Sequence, residues 1–396
     1  MTHHKKYREL SRQAVVVLVS NTSWYLYNFR RGTIVALRKA GYRVVALAPE
    51  DEYSHCLVEE LGIVYVPLPM EGKGTRLLGE GRSLLTLASM LQRLKPAFVF
   101  NFTVKANIYS GLACRMLGIP YANNVSGLGT AFLHDSWLFR RVRSVYGVAN
   151  RGARRVFFQN QEDHDLFLSH GLLRATLTTV LPGSGMDTTR FTFSPLPVPD
   201  PFTFVMIARL LGDKGVREYV QAAGQVRAAH PDSRFLLIGP HGASNCTAIT
   251  EAEVQRWQAS GVVEVLGEQC DVRPFIQRAH VLVLPSYREG MPRTVLEAAA
   301  MGRPAIVSDV PGCRQSIVAG RTGWLCEVKS ADSLAQCMRR CIALPRAELQ
   351  AAGEAARTRI EAEFDERIVV AAAFDCLHDA RTGRGEVLSW LPTHRE

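Results

Sequence analysis

The sequence predicts an α/β protein of two Rossmann-like parallel-sheet domains facing across a cleft, and three observations predict it. Short β-branched runs alternate with helix-like segments along the whole chain, the pattern of parallel sheets joined by crossover helices. A proline-rich stretch, "SPLPVPDP" at residues 194–201, interrupts the alternation once, and a second series begins right after it. The length of 396 residues is long for one core, so two domains are the natural reading.

In the first series, strands are expected at residues 14–20, 43–48, 63–67, 98–102, 121–125 and 155–159, each a short run rich in β-branched or aromatic side chains. Helices fall between them, notably at 28–40 and 107–117. The proline-rich stretch can continue neither a helix nor a central strand and reads as a semi-rigid linker. Beyond it, strands are expected at 203–208, 234–238, 262–266, 281–284 and 305–308, with helices at 216–229, 272–279 and 293–301. This places an N-terminal domain at 1–190, a C-terminal domain at 191–370, and a tail at 371–396 that packs back on the N-terminal domain. Ligands of open α/β sheets sit beyond the carboxyl ends of the strands, so the strand-to-helix loops are where function is sought.

Composition excludes several classes. The apolar runs, such as "AVVVLV" and "VLVLP", fall far short of the roughly 18 residues that a membrane helix needs. The start, "MTHHKKYRELSRQ", leads into a strand without the apolar stretch of a signal peptide, so the protein is expected in the cytoplasm. Nine cysteines without a C-x-x-C pair suggest neither a disulfide framework nor a zinc site. The net charge of +10 is carried by the first 190 residues, with 24 Lys+Arg against 13 Asp+Glu, while the remainder is nearly neutral. Nucleic acid, an anionic membrane surface or a phosphorylated ligand would each answer to such basicity. No nucleic-acid recognition motif accompanies it, and no G-x-G-x-x-G follows the first strand, which argues against a nicotinamide cofactor.

Four loops of the second series carry polar or Gly-rich sequence: "ARLLGDKG", "IGPHGAS", "LGEQCDV" and "SYREGMPR". In the last, Pro292 suits the first turn of the helix-forming run "TVLEAAAM". Backbone N–H groups near Gly290, Met291, Pro292, Arg293 and Thr294 then open towards the cleft as an anion-favouring helix start. Arg209 and Lys214, on the loop after the domain's first strand, bring two cations to the same place, which suggests a diphosphate. Glu297, more than a turn into the helix, suits hydroxyls such as those of a ribose, and Glu289 suits the group attached to the phosphates. Against this stands a plainer reading, in which Glu297 is the i,i+4 ion-pair partner of Arg293.

The E-x7-E pattern of Glu289 and Glu297, set in "SYREGMPR" and followed by "EAAAMGRP" and "DVPGCR", resembles the retaining glycosyltransferases of family four, which adopt the GT-B fold. "GSGMDTTRF" at 183–191 and "ARLLGDKGVREYVQAA" at 208–223 are similar to two further segments of that family. The resemblance implies that Arg209 and Lys214 bind the donor diphosphate, that Glu297 binds the ribose of a nucleotide sugar, and that Glu289 with the backbone of Gly290–Arg293 holds the transferred sugar. Glu289, Lys214 and Arg209 are thus the candidate catalytic residues, and Gly239 and Glu268 on the two remaining loops complete the candidate donor site. It also implies that the leaving phosphate helps to deprotonate the acceptor, so that no dedicated base, metal or cofactor is needed.

In the first half, "NTSWYLYNFRRGTIVALRKAGYRVVALAP", "FTVKANIYSGLA" and "NVSGLGTAF" are similar to bacterial enzymes that build lipid-linked glycans and surface polysaccharides from UDP-sugars. A UDP-sugar donor and a polyprenyl-diphosphate-linked saccharide acceptor are therefore the expected substrates. Two features depart from the family pattern. "SNTSW" stands where many members carry a Gly-Gly pair, and Ser126 stands about where many carry a sugar-contacting histidine. Asn21, Lys105, Ser126 and Gly127 are the acceptor-side candidates, and Ser126, Asn101 and Lys105 are the alternatives for the histidine's place. The D-x-D of Asp163–Asp165 lies in a helix-start context and reads as a cap rather than a metal site. "WLFRRVRSVYGVANRGARR" and "RLLGEGRSLLTLASMLQRLK" interleave apolar and cationic residues, which suits peripheral contact with the inner face of an anionic membrane. A nucleotide-sugar epimerase of the same fold and an inactive homologue acting as a binding subunit are the alternatives. The presence of all the phosphate residues and of both glutamates speaks against them.

Overall fold

The computed structural model describes residues 14–70, 77–127, 137–198, 201–242 and 247–382, with side chains omitted at 77–83, 137–142 and 381–382. They fall into two units: those up to Leu181 together with those from Arg367 on, and Pro182–Glu366.

The first unit is built on seven parallel strands: β1 (Val15–Val19), β2 (Arg43–Ala48), β3 (Val64–Pro67), β4 (Phe98–Phe102), β5 (Tyr121–Val125), β6 (Arg155–Phe158) and β7 (Thr178–Val180). Their order is β3-β2-β1-β4-β5-β6-β7. The helices between them are α1 (Ser23–Lys39), α2 (Ser54–Glu59), α3 (Leu77–Leu94), α4 (Val104–Leu117), α5 (Trp137–Arg151) and α6 (Gln161–Ser169). The central strands are buried on both faces because helices cover both faces. One core cluster takes Val16, Leu18, Phe98 and Phe100 with Leu26 and Ile34 of α1. The other takes Val17, Val19 and Val99 with Leu87 of α3 and Ala113 of α4. Strand order reverses between β1 and β4, and such a switch point opens a crevice at the carboxyl ends.

The second unit holds six parallel strands in the order β10-β9-β8-β11-β12-β13. They are β8 (Thr203–Ile207), β9 (Arg234–Ile238), β10 (Glu264–Gly267), β11 (Val281–Leu284), β12 (Ala305–Ser308) and β13 (Gly323–Cys326). The helices are α7 (Val216–Ala229), α8 (Glu251–Ser260), α9 (Arg273–Arg278), α10 (Arg293–Ala300), α11 (Cys313–Ser316), α12 (Ala331–Ala343) and α13 (Arg346–Glu363). A last helix, α14 (Glu366–Thr382), returns to the first unit. There Val369, Ala373, Cys376 and Leu377 join the cluster of Leu18 and Phe100, and Arg155 pairs with Asp379 at 3.1 Å.

Eleven of these strands stand where the sequence places them, within two residues at either end. β7 and β13 are the additions. β7 has only three residues, and β13, Gly-Trp-Leu-Cys, opens on a glycine and holds no β-branched residue, so neither carries a clear strand signal.

The proline-rich stretch departs from its reading as a linker. Leu196 is buried in the core of the second unit, and the backbone of Ser194–Pro197 is bonded to two arginines. Arg303 donates to the Ser194 carbonyl at 2.7 Å and the Pro195 carbonyl at 3.0 Å, and Arg346 donates to the carbonyls of Leu196 and Pro197 at 2.9 and 2.6 Å. Proline leaves its segment rich in carbonyl acceptors and poor in N–H donors, and the two guanidinium groups supply the missing donors. The passage between units accordingly falls after Leu181 rather than after residue 190. Met186 N–H bonds to the Phe364 carbonyl at 2.7 Å, and Phe191 lies in the second unit's core, so 182–191 already belongs there.

Arg303 is fully buried. Besides the proline-rich stretch it reaches the carbonyls of Ile276, Gln277 and Ala279 at the end of α9, and that of Met301 after α10. Burial lowers its pKa to about 10, which still leaves it charged at neutral pH. Arg303→Met fills the volume but leaves several buried carbonyls without donors. It should therefore lower the unfolding free energy by at least about 3 kcal/mol in urea denaturation; a loss below about 1 kcal/mol would show that these bonds contribute little.

Candidate active site

The candidate donor residues gather at the carboxyl ends of the second sheet. The loop after β8 is fixed by Ala208 N–H to the Ile238 carbonyl at 2.9 Å and by Leu210 N–H to the Pro240 carbonyl at 3.0 Å. Gly239, at φ +148°, makes that packing possible, since a Cβ there would strike the Ala208 carbonyl oxygen. A short 3-10 turn, Gly212–Lys214, follows, and Gly215 at φ +73° lets the chain pass against the Pro285 carbonyl at the end of β11. Tyr287 N–H then bonds the Asp213 carbonyl at 2.8 Å, so the Lys214 turn and the loop after β11 are joined.

Two residues 75 positions apart in sequence thereby meet: the Lys214 ammonium donates to Glu289 Oε1. The Ser286 hydroxyl donates to the same oxygen at 2.8 Å, and the Ser308 hydroxyl holds the Ser286 carbonyl. The side chains of Lys214 and Glu289 are 20% and 14% exposed, enough for a ligand to reach and dry enough for charge to count. Glu289 N–H bonds the Pro311 carbonyl at 3.3 Å, which anchors the loop from the other side.

Helix α10 starts at Arg293, with Pro292 at the cap rather than in the first turn. Its interior "VLEAAA" is helix-forming, and Val295, Leu296 and Ala298–Ala300 are buried. Arg293 Nε donates to Glu297 Oε1 at 3.0 Å, and the pair is only 13% and 12% exposed. The i,i+4 ion pair is therefore present, in a half-buried setting rather than on a solvated face. A second nitrogen of Arg293 donates to the Ser184 hydroxyl at 2.9 Å and the Gly185 carbonyl at 3.3 Å, so "GSG" orients the arginine. Burial raises the Glu297 pKa, and the charges of Arg293 and, further off, Arg190 pull it back down.

The structure thus brings together Lys214, Glu289, Gly290, Met291, Pro292, Arg293, Thr294 and Glu297 on one loop-and-helix segment and the turn beside it. Arg209 lies exposed on the same loop as Lys214, and among the described residues none pairs with its guanidinium. Gly239 stands beneath Arg209, and Glu268 is exposed on the loop after β10. Ser184, Ser286 and Ser308, which orient the charged groups, carry no sequence signal beyond lying in the motif segments.

In the first unit, Asn21 follows β1, Lys105 lies in the first turn of α4 after β4, and Ser126 and Gly127 follow β5. All four stand at the carboxyl ends of three neighbouring strands. At the "SNTSW" segment, Asp51 closes the start of α1: its Oδ2 accepts from Ser23 N–H at 2.8 Å and Trp24 N–H at 3.0 Å. The hydroxyl of Thr22 takes Tyr25 N–H at 3.2 Å. The Asp163–Asp165 segment forms the first turn of α6, where Asn160 Oδ1 accepts from Asp163 N–H at 2.7 Å.

Comparison with known proteins fits this geometry. The family model "Glycosyl transferases group 1" matches residues 201–343, and "Glycosyl transferase 4-like domain" matches residues 29–183. Over 368 residues the chain is 26% identical to the N,N'-diacetylbacillosaminyl-diphospho-undecaprenol alpha-1,3-N-acetylgalactosaminyltransferase of Campylobacter jejuni, covering 89% of this chain and 95% of that one. It is 25% identical over 287 residues to the UDP-Gal:alpha-D-GlcNAc-diphosphoundecaprenol alpha-1,3-galactosyltransferase of Escherichia coli, covering 67% and 71%. In fold it is similar to Anabaena HepE, solved in complex with UDP, at a TM-score of 0.74 and 19% identity over 92% of this chain and all of that one. With both of its domains matched and the paired glutamates placed as the motif requires, the chain belongs to the family-four type of glycosyltransferases of the GT-B fold.

Proposed function

We propose that this glycosyltransferase is a retaining enzyme that moves a hexose or N-acetylhexosamine from a UDP-sugar to a polyprenyl-diphosphate-linked saccharide. The observation that carries the donor half is the meeting of Lys214 and Glu289 beside the start of α10. A cation, a carboxylate and a helix N-terminus within one segment suit a diphosphate with a sugar attached. The acceptor half is supported by the two relatives, whose names give undecaprenyl-diphosphate-linked acceptors.

In this reading, Lys214, Arg209 and the first-turn N–H groups of α10 stabilise the charge that develops on the departing UDP. Glu289 and the backbone from Gly290 orient the sugar, and Glu297 accepts hydrogen bonds from the ribose hydroxyls. The bond between the anomeric carbon and the phosphate oxygen breaks as the acceptor oxygen bonds to the same face. The acceptor proton passes to the leaving phosphate. The fixed cations do the neutralising, so the scheme requires no metal ion.

Basic helices α3 and α5 would bring the first unit to an anionic membrane surface, where such an acceptor is anchored. No described helix is long and apolar enough to cross a membrane, so attachment in this reading is peripheral, on the cytoplasmic face.

A thermal-melting screen tests the donor. UDP and one UDP-sugar should raise Tm, since a ligand that binds only the native state stabilises it; a preference for GDP or ADP would discard UDP as the nucleotide. Lys214→Ala should lower turnover at least about tenfold and weaken UDP binding, as expected for a charge-assisted hydrogen bond; an unchanged rate would remove Lys214 from the site.

The carboxyl of Glu297 holds its proton to higher pH in the folded state than at its usual 4.5. Its contribution to stability is thus complete below pH 4.5 and is lost as pH rises through the folded value. Urea unfolding should show this decline in the wild type and not in Glu297→Gln; parallel pH profiles would contradict the shift. Replacing Arg140, Arg141 and Arg143 by Gln should weaken sedimentation with anionic liposomes by on the order of a hundredfold, at about 1 kcal/mol per charge. Undiminished sedimentation would count against contact through α5.

A further inference from the structure

Three non-glycine residues among those described have positive φ: Lys95 at 45°, Thr103 at 74° and Lys329 at 61°. Thr103 differs from the two lysines. Its ψ of 157° puts it in a region that is populated essentially by glycine alone, and a β-branched side chain is the least tolerant occupant of positive φ. Its hydroxyl is also buried without a hydrogen-bond partner among the described residues. Glycine would remove both costs at once, so a threonine here costs stability that the fold alone does not require.

The position explains what the strain achieves. β4 ends at Phe102 and α4 begins at Val104, so Thr103 alone turns the chain from central strand to helix. Strained strand-to-helix elbows of this kind fix side chains at the upper edge of an α/β sheet. Here the elbow fixes the first turn of α4, with Lys105, between the ends of β1 and β5, where Asn21, Ser126 and Gly127 stand.

A seam of buried asparagines grips the elbow on both sides. Before it, Asn101 Nδ2 donates to Asn123 Oδ1 at 2.8 Å, and the Asn101 carbonyl accepts from Asn124 Nδ2 at 3.3 Å. After it, Asn107 Nδ2 donates to the Asn124 carbonyl at 2.8 Å and to the Tyr146 hydroxyl at 2.7 Å. Asn123 continues to Asn150 at 2.7 Å, and the Asn107 N–H closes on the Thr103 carbonyl at 2.9 Å. All five asparagines are buried. Strain persists only where its surroundings over-determine the backbone, and these bonds do so.

We infer that Thr103 is a positioning residue for glycosyl transfer: its rigid one-residue elbow, clamped by the asparagine seam, sets the acceptor side of the reaction without touching the donor. This rests on the reading of the first sheet's carboxyl edge as the acceptor side.

The test compares wild type, Thr103→Gly and Thr103→Ala in melting and in steady-state kinetics. The probes are UDP-galactose with GlcNAc-diphosphoundecaprenol and UDP-N-acetylgalactosamine with diacetylbacillosaminyl-diphospho-undecaprenol, using the pair that the wild type turns over. Thr103→Gly removes the strain and frees the elbow. Its Tm should rise by about 2–4 °C, while kcat falls about tenfold, the acceptor KM rises, and both the donor KM and the UDP-induced Tm shift stay as in wild type. Thr103→Ala keeps a Cβ and hence the strain, so its turnover should stay nearer to wild type. Wild-type kinetics in Thr103→Gly, or an equal loss in Thr103→Ala, would overturn the inference. A failure of the substrate assignment shows in the wild-type reactions, whereas a failure of the elbow shows only in the comparison with Thr103→Gly.

Discussion

The second domain depends on a buried guanidinium that meets no carboxylate among the described residues. The hydrogen-bond partners of Arg303 among the described residues are backbone carbonyls, with the Ser194 hydroxyl besides. A charge so buried is sustained because five fixed N–H donors meet acceptors that would otherwise be unpaired, which offsets its desolvation. The partners come from the proline-rich stretch, the end of α9 and the residue after α10. One side chain thereby ties the chain's entry into the domain to the helix that carries the candidate site. Arg357 adds a bond to the Ala300 carbonyl at 2.7 Å. Two cations at its carboxyl end both satisfy the last carbonyls and complement the dipole of α10, and its N-terminus is left for the opposite charge.

The candidate site repeats the theme at its working end, with charges held in pairs. Lys214 is matched by Glu289, and Arg293 by Glu297. Each pair is half-buried, so its partners are oriented but not sealed. In the proposed function, a diphosphate arriving at Lys214 would join an existing network instead of ordering a mobile lysine, which would reduce the conformational entropy that binding must overcome. Serine hydroxyls do the remaining orienting: Ser286 on Glu289, and Ser184 on Arg293.

What the sequence made legible follows from where each signal resides. Strands such as β8 and β11 are continuous apolar runs apart from one threonine, and β11 could be read to the residue. β7 and β13 pair at sheet edges over three or four residues, so tertiary pairing decides them and local pattern does not. The proline-rich stretch was readable as neither helix nor strand, but its packing depended on Arg303, more than a hundred residues away. Glu289 and Glu297 could be found from their spacing, whereas the pairing of Lys214 with Glu289 arises only because Gly215 allows two loops to touch. The strain at Thr103 has no sequence signal at all, since threonine is the last residue that propensity would place there.

The first domain departs from the family pattern for a physical reason that the structure makes plain. A Gly-Gly turn would leave the first N–H groups of α1 open to an anion, whereas here the Asp51 carboxylate already occupies them. A fixed negative charge at that point stabilises the helix and at the same time repels a phosphate. The start of α1 is therefore closed to a second phosphate, and in the proposed function diphosphate neutralisation would fall to the second domain, where Arg209, Lys214 and α10 are concentrated. The first domain is then free to use the ends of β1, β4 and β5 for another task. There, neutral polar side chains such as Asn21 and Ser126 stand beside Lys105, a composition suited to sugar hydroxyls more than to a diphosphate.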